Sequence, residues 1–355
     1  MMDEIPPVIR FFEMGLGMGP HDALFLHMDA RELLVFSQTC HRIYYLVKQT
    51  SFSLPRLLSP FFGHATEVDR FRRMQLQSGT LISGSIALQF FNRLKWPGSD
   101  LDLYGHRPTA NLAPRKSQNQ DVCAQLVASV AEKPPSYLGR GIADVLDFHK
   151  AGKKIQLIIA TSTPMEVIIS FHSTCVQNVI SHEKAYALYP CLGNPDVPVI
   201  HATRVRVKMM DAGVTGTSGA IPLILETAGV GQEVGRQKYV DRGWRMIELP
   251  DVRDAELADH TRWVGDRFTW TICLPPLLIA VPDLCGINSW ELECTLGSVA
   301  MRWSVVESAQ LKYKYTVSDT SLAELGEVWE HVASSALAPV DTELAEAVIR
   351  RRRPY

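Results

Sequence analysis

The sequence has no C-x-x-C pair and no cysteine–histidine cluster at zinc spacing. Its seven cysteines (Cys40, Cys123, Cys175, Cys191, Cys273, Cys285 and Cys294) are scattered and odd in number. That argues against a disulfide scaffold or a zinc module and predicts reduced, mostly buried thiols in an intracellular protein. No window reaches the apolar length of a membrane span, so no membrane partner is expected. The opening MMDEIPPVIRFFEMGLGMG carries acids and prolines and lacks a basic stretch ahead of an apolar run, so no secretory signal is expected. A cytoplasmic or nuclear location follows. An excess of one charge is missing too: 36 Lys and Arg face 38 Asp and Glu, for a formal net charge of -2. Nucleic acid is therefore not an expected partner. The glycine-rich AGVTGTSGA (Ala212 to Ala220) has no lysine in P-loop position, and the chain shows no internal repeat.

What is present is enough for two domains, or one large domain with an appendage: 355 residues, 46% of them hydrophobic. The spacing predicts helix from Asp29 to Lys48, with Glu32 in capping-box position and a stripe of Leu33, Phe36, Cys40, Ile43, Tyr44 and Val47. Pro55 and Pro60 suggest a connector. From Met74 to Ile180 strand and helix alternate: strand TLIS, a helix from Ser85 to about Lys95, strand DLDLYG, a polar loop, a helix around Asp121 to Ala131, and strands near Ile142 to Phe148 and at KIQLIIA. A further helix is predicted over TPMEVIISFHSTCVQNVI, with Thr163 as N-cap, Pro164 at the first position and Glu166 closing the box. TRVRVKMMDAGV suggests a helix; DRFTWTICL and MRWSVVESAQLKYKYTV read as strands. The basic IRRRRPY reads as a solvated helix end. The expected fold class is α/β (α+β), a mixed-sheet core with a helical N-terminal segment and a mixed C-terminal region. The corresponding divisions are 1–60, 70–190 and 191–355.

The chemistry concentrates in LISGSIALQFFNRLKWPGSDLDLYG. Gly84 lets the backbone approach an anion closely, and Ser85 with the first N–H groups of the following helix supplies donors. In the next strand Asp100, Asp102 and Tyr104 share a face, and carboxylates at i and i+2 lie about 6.5 Å apart. Such a pair suits a hard divalent cation, Mg²⁺ or Mn²⁺, held beside phosphates.

This arrangement resembles the nucleotidyltransferase (polymerase-beta-like) fold superfamily, whose signature is a Gly-Ser helix start followed by an acidic-x-acidic strand. Gly84 and Ser85 match the first part. Asp100 and Asp102 match the second, after fourteen intervening residues. The chain is also similar to a fungal set of F-box-like and nucleotidyltransferase-like proteins in SGSIALQFFNR, SDLDLY, KIQLI, FHSTCVQNVISHEKAYALYP and KYVDRGW, over about residues 20 to 275. The resemblance implies a metal-dependent transfer of NMP from an NTP to a hydroxyl. In it Ser85 would hold the triphosphate, and Asp100 and Asp102 would bind Mg²⁺ and carry the catalysis.

One position departs from the pattern. The superfamily takes a third carboxylate from a later strand, and the matching strand KIQLII carries Gln156 on that face. A neutral amide is a poorer Mg²⁺ ligand and cannot act as base, so the resemblance allows either an active transferase or a degenerate pseudoenzyme. Asp144 and Asp147, on the preceding strand, are the nearest replacements in sequence.

Other candidates have simpler explanations. His172, on the predicted helix with Ile168, Cys175, Val176 and Val179, reads as a core histidine, and Cys175 as a core thiol. Arg242, Trp244, Arg262 and Asp266 read as ion pairs and stacking within the chain. The N-terminal helices resemble the second half of an F-box, without its Leu-Pro start. They imply an alternative, non-enzymatic role as an adaptor-binding protein with a Skp-type partner, set against a helical cap packed on the main domain.

Overall fold

The computed structural model describes residues 24–25, 27–28, 30–106, 141–150, 152–190, 199–200, 202–211, 219–220, 230–244, 246–247, 260–277, 281–295, 298–335 and 339–352. The helix expected at Asp121 to Ala131 and most of the AGVTGTSGA loop lie outside them.

Helices α1 (Ala30–Ser37), α2 (His41–Ser51), α3 (Leu54–Phe62) and α4 (Ala65–Ser78) lead into the first sheet. The single helix expected up to Lys48 is broken between α1 and α2. Hydroxyls break it: Ser37 Oγ donates to the Leu34 carbonyl (2.6 Å) and Thr39 Oγ1 to that of Phe36 (2.7 Å). These bonds compete with the helical ladder, and Cys40 then turns extended. The connector expected at Pro55 and Pro60 is α3 itself. Pro55 sits in the first turn, where its missing N–H costs nothing, behind a Ser53 cap.

The first sheet contains β1 (Leu81–Ser83), β2 (Leu101–His106), β3 (Ile142–Lys150), β4 (Lys153–Ala160), β5 (Asn178–Ile180), β6 (Lys184–Ala187) and β12 (Trp270–Cys273), in the order β12-β6-β5-β1-β2-β4-β3. β2 and β4 run parallel, and the other neighbours are antiparallel. The sheet therefore draws an edge strand from well beyond residue 191. Between β1 and β2, helix α5 (Gly84–Asn92) crosses the sheet.

Strand alternation decides the two faces. Ile82, Leu101, Leu103, Ile155, Ile180 and Ile272 turn to one side and pack with Leu33, Leu58, Phe62, Phe71 and Phe90 of the helices. Leu81, Tyr104, Ile158, Val179 and Tyr186 turn to the other, against helix α6 (Pro164–Ile169) and residues of a second sheet. Arg72 of α4 ties helix to sheet: buried, it donates to the His182 carbonyl (2.7 and 3.0 Å) and to that of Pro275 (2.7 Å). The Leu33 side chain is fully buried in the helix–sheet core, with Phe36 packed on it.

α6 has the expected start, Thr163 Oγ1 accepting from the Met165 N–H (3.3 Å). It ends at Ile169, far short of the predicted length. Ser170 Oγ donates back to the Glu166 carbonyl (2.6 Å), and residues 178–180 leave to form β5, Ile180 pairing with Ile82. Sheet pairing overrides helical periodicity there.

The second sheet holds β11 (His260–Trp263), β13 (Ser289–Thr295), β14 (Ser298–Glu307), β8 (Ala202–Asp211) and β9 (Gly219–Ala220), with β15 (Tyr315–Val317) on β14. Its β8 corrects the helix predicted at TRVRVKMMDAGV. Thr-Arg-Val-Arg-Val alternates with period two, and β8 pairs parallel with β14. A short pair, β7 (Val199–Ile200) with β10 (Met246–Ile247), flanks α7 (Val230–Val240) in the chain. Helices α8 (Asp319–Ser335) and α9 (Asp341–Arg352) follow; Leu325, Val328, Leu344 and Val348 build a third core with Ile287 and Tyr315. The Arg262–Asp266 ion pair is buried (2.5 Å), and Arg262 lies against the Tyr189 ring (4.7 Å). No helix of the described residues is long and apolar enough to cross a membrane.

If α1–α4 are an integral layer, Leu33→Ala should lower the stability of the whole unit by roughly 2–5 kcal/mol in a denaturant titration. Deleting residues 1–62 should leave the sheet unable to fold, as read by loss of the near-UV signal. A cooperative, folded truncation product would show instead that the helices are an independent appendage.

Candidate functional site

One transverse row of residues crosses four strands. Ser83 of β1 lies opposite Asp102 of β2, Asp102 beside Gln156 of β4, and Gln156 opposite Asp147 of β3. Strands are spaced about 4.8 Å apart, so Asp102 and Asp147 flank Gln156 on the same face.

The Gly-Ser turn sits directly on this row. Gly84 begins α5 at φ +67, and a Cβ there would fall 2.8 Å from Asp102 Oδ2. Glycine is needed twice over, for the left-handed backbone and for the close approach. Ser83 Oγ is spent on the Asn178 carbonyl (2.5 Å), which anchors the turn to β5. Ser85, the next residue of α5, is buried.

Asp100 precedes β2 and is partly exposed, with Lys154 Nζ 4.0 Å from its carboxylate. Lys154 reaches Asp147 more closely, at 3.1 Å, while Gln156 Nε2 donates to the other Asp147 oxygen (2.8 Å). Burial alone would raise the Asp147 pKa, but the bonds from Gln156 and Lys154 outweigh it and hold the carboxyl below its usual range. Asp102 goes the other way. Burial and then Asp100 push its carboxyl up to about 7, against the opposing pull of Lys238 and Lys154.

A carboxylate crowded in this way favours a cation. Two such groups suit Mg²⁺, which commonly takes one or two protein carboxylates and completes its shell with phosphates and water. Among the described residues, no group of three or more His, Cys, Asp or Glu is placed to hold a metal ion. No family model, curated protein or solved structure matches the chain.

Two cations were missed in the sequence. Lys154 could have been found by parity, since it is two residues from Gln156 on the same strand face. Lys238, on α7, comes within electrostatic reach of Asp102 only through tertiary packing. Of the two acids nearest in sequence to serve as a third carboxylate, Asp147 stands on the row, and Asp144 pairs with Ile159 further along.

The remaining candidates are structural. His172 lies after α6, not on it; its Nδ1 shares a hydrogen bond with Ser173 Oγ (2.8 Å), and its ring lies 5.7 Å from that of Tyr239. Burial pushes the Cys175 thiol up to about 12, so it is no nucleophile near neutral pH. The Arg242 guanidinium is stacked 3.9 Å from Trp96 and 5.2 Å from Tyr239.

The raised Asp102 carboxyl makes stability depend on pH. Unfolded, the group loses its proton near 3.8; folded, it keeps it to about 7. Between those values the folded state binds more protons, so stability falls as pH rises toward 7 and is flat above. Asp102→Asn should therefore raise the melting temperature at pH 8 by a few degrees while changing it little at pH 4.5. An equal shift at both pH values would mean that Asp102 ionises normally. Gly84→Ala should cost about 1 kcal/mol or more at either pH, from its backbone conformation alone.

Proposed function

We propose that the chain binds a nucleoside triphosphate together with Mg²⁺ or Mn²⁺ at the Gly84–Ser85 turn and the Asp100–Asp102 pair, as a nucleotidyltransferase-like protein whose chemistry is attenuated. One observation carries the reading: the Gly84 turn closes directly on Asp102, while Gln156 occupies the neighbouring position on the parallel strand. Those are the relative positions that the superfamily resemblance leads one to expect for the phosphate turn, the metal acid and the third acid.

The residues divide the work as follows. Gly84 and Ser85 present backbone N–H groups and a hydroxyl to the phosphates, at the positive end of α5. Lys154 and Lys238 offset phosphate charge. Asp100 and Asp102 would hold the metal, which when bound neutralises the phosphates and polarises the α-phosphorus. In transfer, an acceptor hydroxyl forms a bond to that phosphorus as pyrophosphate leaves. A base must take the hydroxyl proton. Gln156 cannot, and Asp147 is already engaged by Gln156 and Lys154. Binding with slow or no transfer follows.

The second reading, recognition of a Skp-type adaptor by the N-terminal helices, has one observation in its favour: Val35, Tyr44 and Tyr45 are exposed on α1 and α2. Against it, Leu33, Ile43 and Val47 are spent on the shared core. Co-purification of such a partner that survives in wild type and fails in Val35→Asp/Tyr45→Asp would favour it.

A thermal-shift comparison tests the nucleotide reading. Wild type should be stabilised by NTP with Mg²⁺, more at pH 8 than at pH 6, because the proton on Asp102 competes with the metal. Gln156→Asp should lower stability without ligand through carboxylate repulsion and enlarge the Mg²⁺–NTP shift. Asp100→Asn/Asp102→Asn should abolish it. Equal shifts in wild type and Gln156→Asp would remove Gln156 from the site, and no shift in any protein would overturn the proposal.

A further inference from the structure

Helix α5 buries Ile86, Ala87, Leu88, Phe90 and Phe91, yet carries an amide in their midst: Gln89, 5% exposed. Packing alone would favour leucine there, because a buried amide is unfavourable unless both of its ends are bonded. Both ends are bonded. Nε2 donates to the Ser85 carbonyl (3.1 Å) and to Ser99 Oγ (3.1 Å), and Oε1 accepts from the Trp96 N–H (2.7 Å). A carbonyl at one end and an N–H at the other fix the orientation of the amide.

These partners join the two halves of the proposed site. Ser85 belongs to the turn, and Ser99 is the residue before Asp100, the first acid of the pair. The chain between them leaves α5 through a left-handed Arg93 (φ +55). The Arg93 and Leu94 N–H groups donate to the Gln89 carbonyl, and Arg93 Nη1 is anchored on the Phe25 and Met28 carbonyls (2.5 and 2.7 Å). Beyond that anchor Leu94, Lys95, Pro97 and Gly98 are exposed. The Trp96 ring rests against Arg242 (3.9 Å) and Tyr239 (6.1 Å), and the Ser99 N–H donates to the Trp96 carbonyl (3.3 Å). Asp100 itself precedes Leu101, the first paired residue of β2, and Lys154 lies 4.0 Å from its partly exposed carboxylate. An ion pair so exposed holds a side chain weakly.

We infer that Gln89 is a positioning residue: its amide holds Ser99, and through it Asp100, at a fixed distance from the Ser85 end of α5. The spacing of the acid pair from the turn is then set by one side chain on the helix, since the sheet begins only at Leu101. The consequence for ligand binding rests on the nucleotide reading above; the hold on Asp100 does not.

Backbone ¹⁵N relaxation on the full chain without ligand tests that hold. The reporters are the Ser99 and Asp100 amides, neither of which bonds Gln89. Gln89→Leu removes all three bonds at similar volume, and Ser99→Ala removes one without touching the core. Both should lower the order parameters of the reporters from about 0.85 toward 0.6, with the β4 amides unchanged. Gln89→Glu still accepts from the Trp96 N–H and the Ser99 hydroxyl, and should restore the order. Mn²⁺–ATP should then bind Gln89→Leu about tenfold more weakly than wild type, the worth of one or two hydrogen bonds. Unchanged order at the reporters in both variants, or a loosening shared equally by β4, overturns the inference. So does a loss of order that leaves the Mn²⁺–ATP affinity of wild type intact. If wild type binds no Mn²⁺–ATP, the nucleotide reading falls, and the order parameters alone decide the role of Gln89.

Discussion

Asp102 lies under Gly84 with no room for a side chain between them, and much of the structure serves that contact. The turn must be left-handed at residue 84 to bring α5 across the sheet, and Ser83 must be pinned to Asn178 to hold the turn against β5. β5 itself exists because the helix ends at Ile169 and residues 178–180 run as a strand beside β1. The cost of burying Asp102 is visible in its raised pKa, and Lys154 and Lys238 only partly offset it. The fold thus keeps a carboxyl with a raised pKa directly beside a glycine turn.

The same row also carries a network of its own. Gln156 and Asp147 form a hydrogen-bonded pair, with Lys154 as a third member. This network satisfies itself without a ligand. An acid at residue 156 would instead have repelled both of its neighbours in the row and required a cation to settle it. Along the row, Gln156, Asp147 and Lys154 thus satisfy one another, while Asp102 keeps a buried carboxyl with Asp100 beside it.

Alternation along β2 runs one face of the strand past the second core. Asp102, Tyr104 and His106 share that face, with Tyr104 packed between against Phe171 (5.6 Å between rings). The opposite parity, Leu101 and Leu103, is sealed by the N-terminal helices. Those helices are therefore part of what orients the site, because their apolar stripe decides which way β2 faces. The C-terminal unit closes the His106 end of the strand, where Tyr313 and Asp341 meet residues of α4 and β2 at a cavity.

Local rules in the sequence determined a good deal: the Gly84–Ser85 turn, the strands at residues 81–83, 101–106 and 153–160, the Thr163–Pro164 cap, the inward stripe of Leu33, Ile43 and Val47, and the shared face of Asp102 and Gln156. Each depends on a short-range physical cause, either a period of two or 3.6 or a single capping bond. Tertiary structure alone decided the rest. Residues 178–180 carry apolar residues compatible with helix or strand, and only the waiting edge of β1 selects the strand. Residues 202–211 could be read either way until β14 offered a parallel partner. Lys238 and Asp102 are distant in sequence, as are Gln75, His106 and His182 around the cavity. No periodicity relates such residues; their proximity comes from packing whole elements together, a property that a linear pattern does not encode.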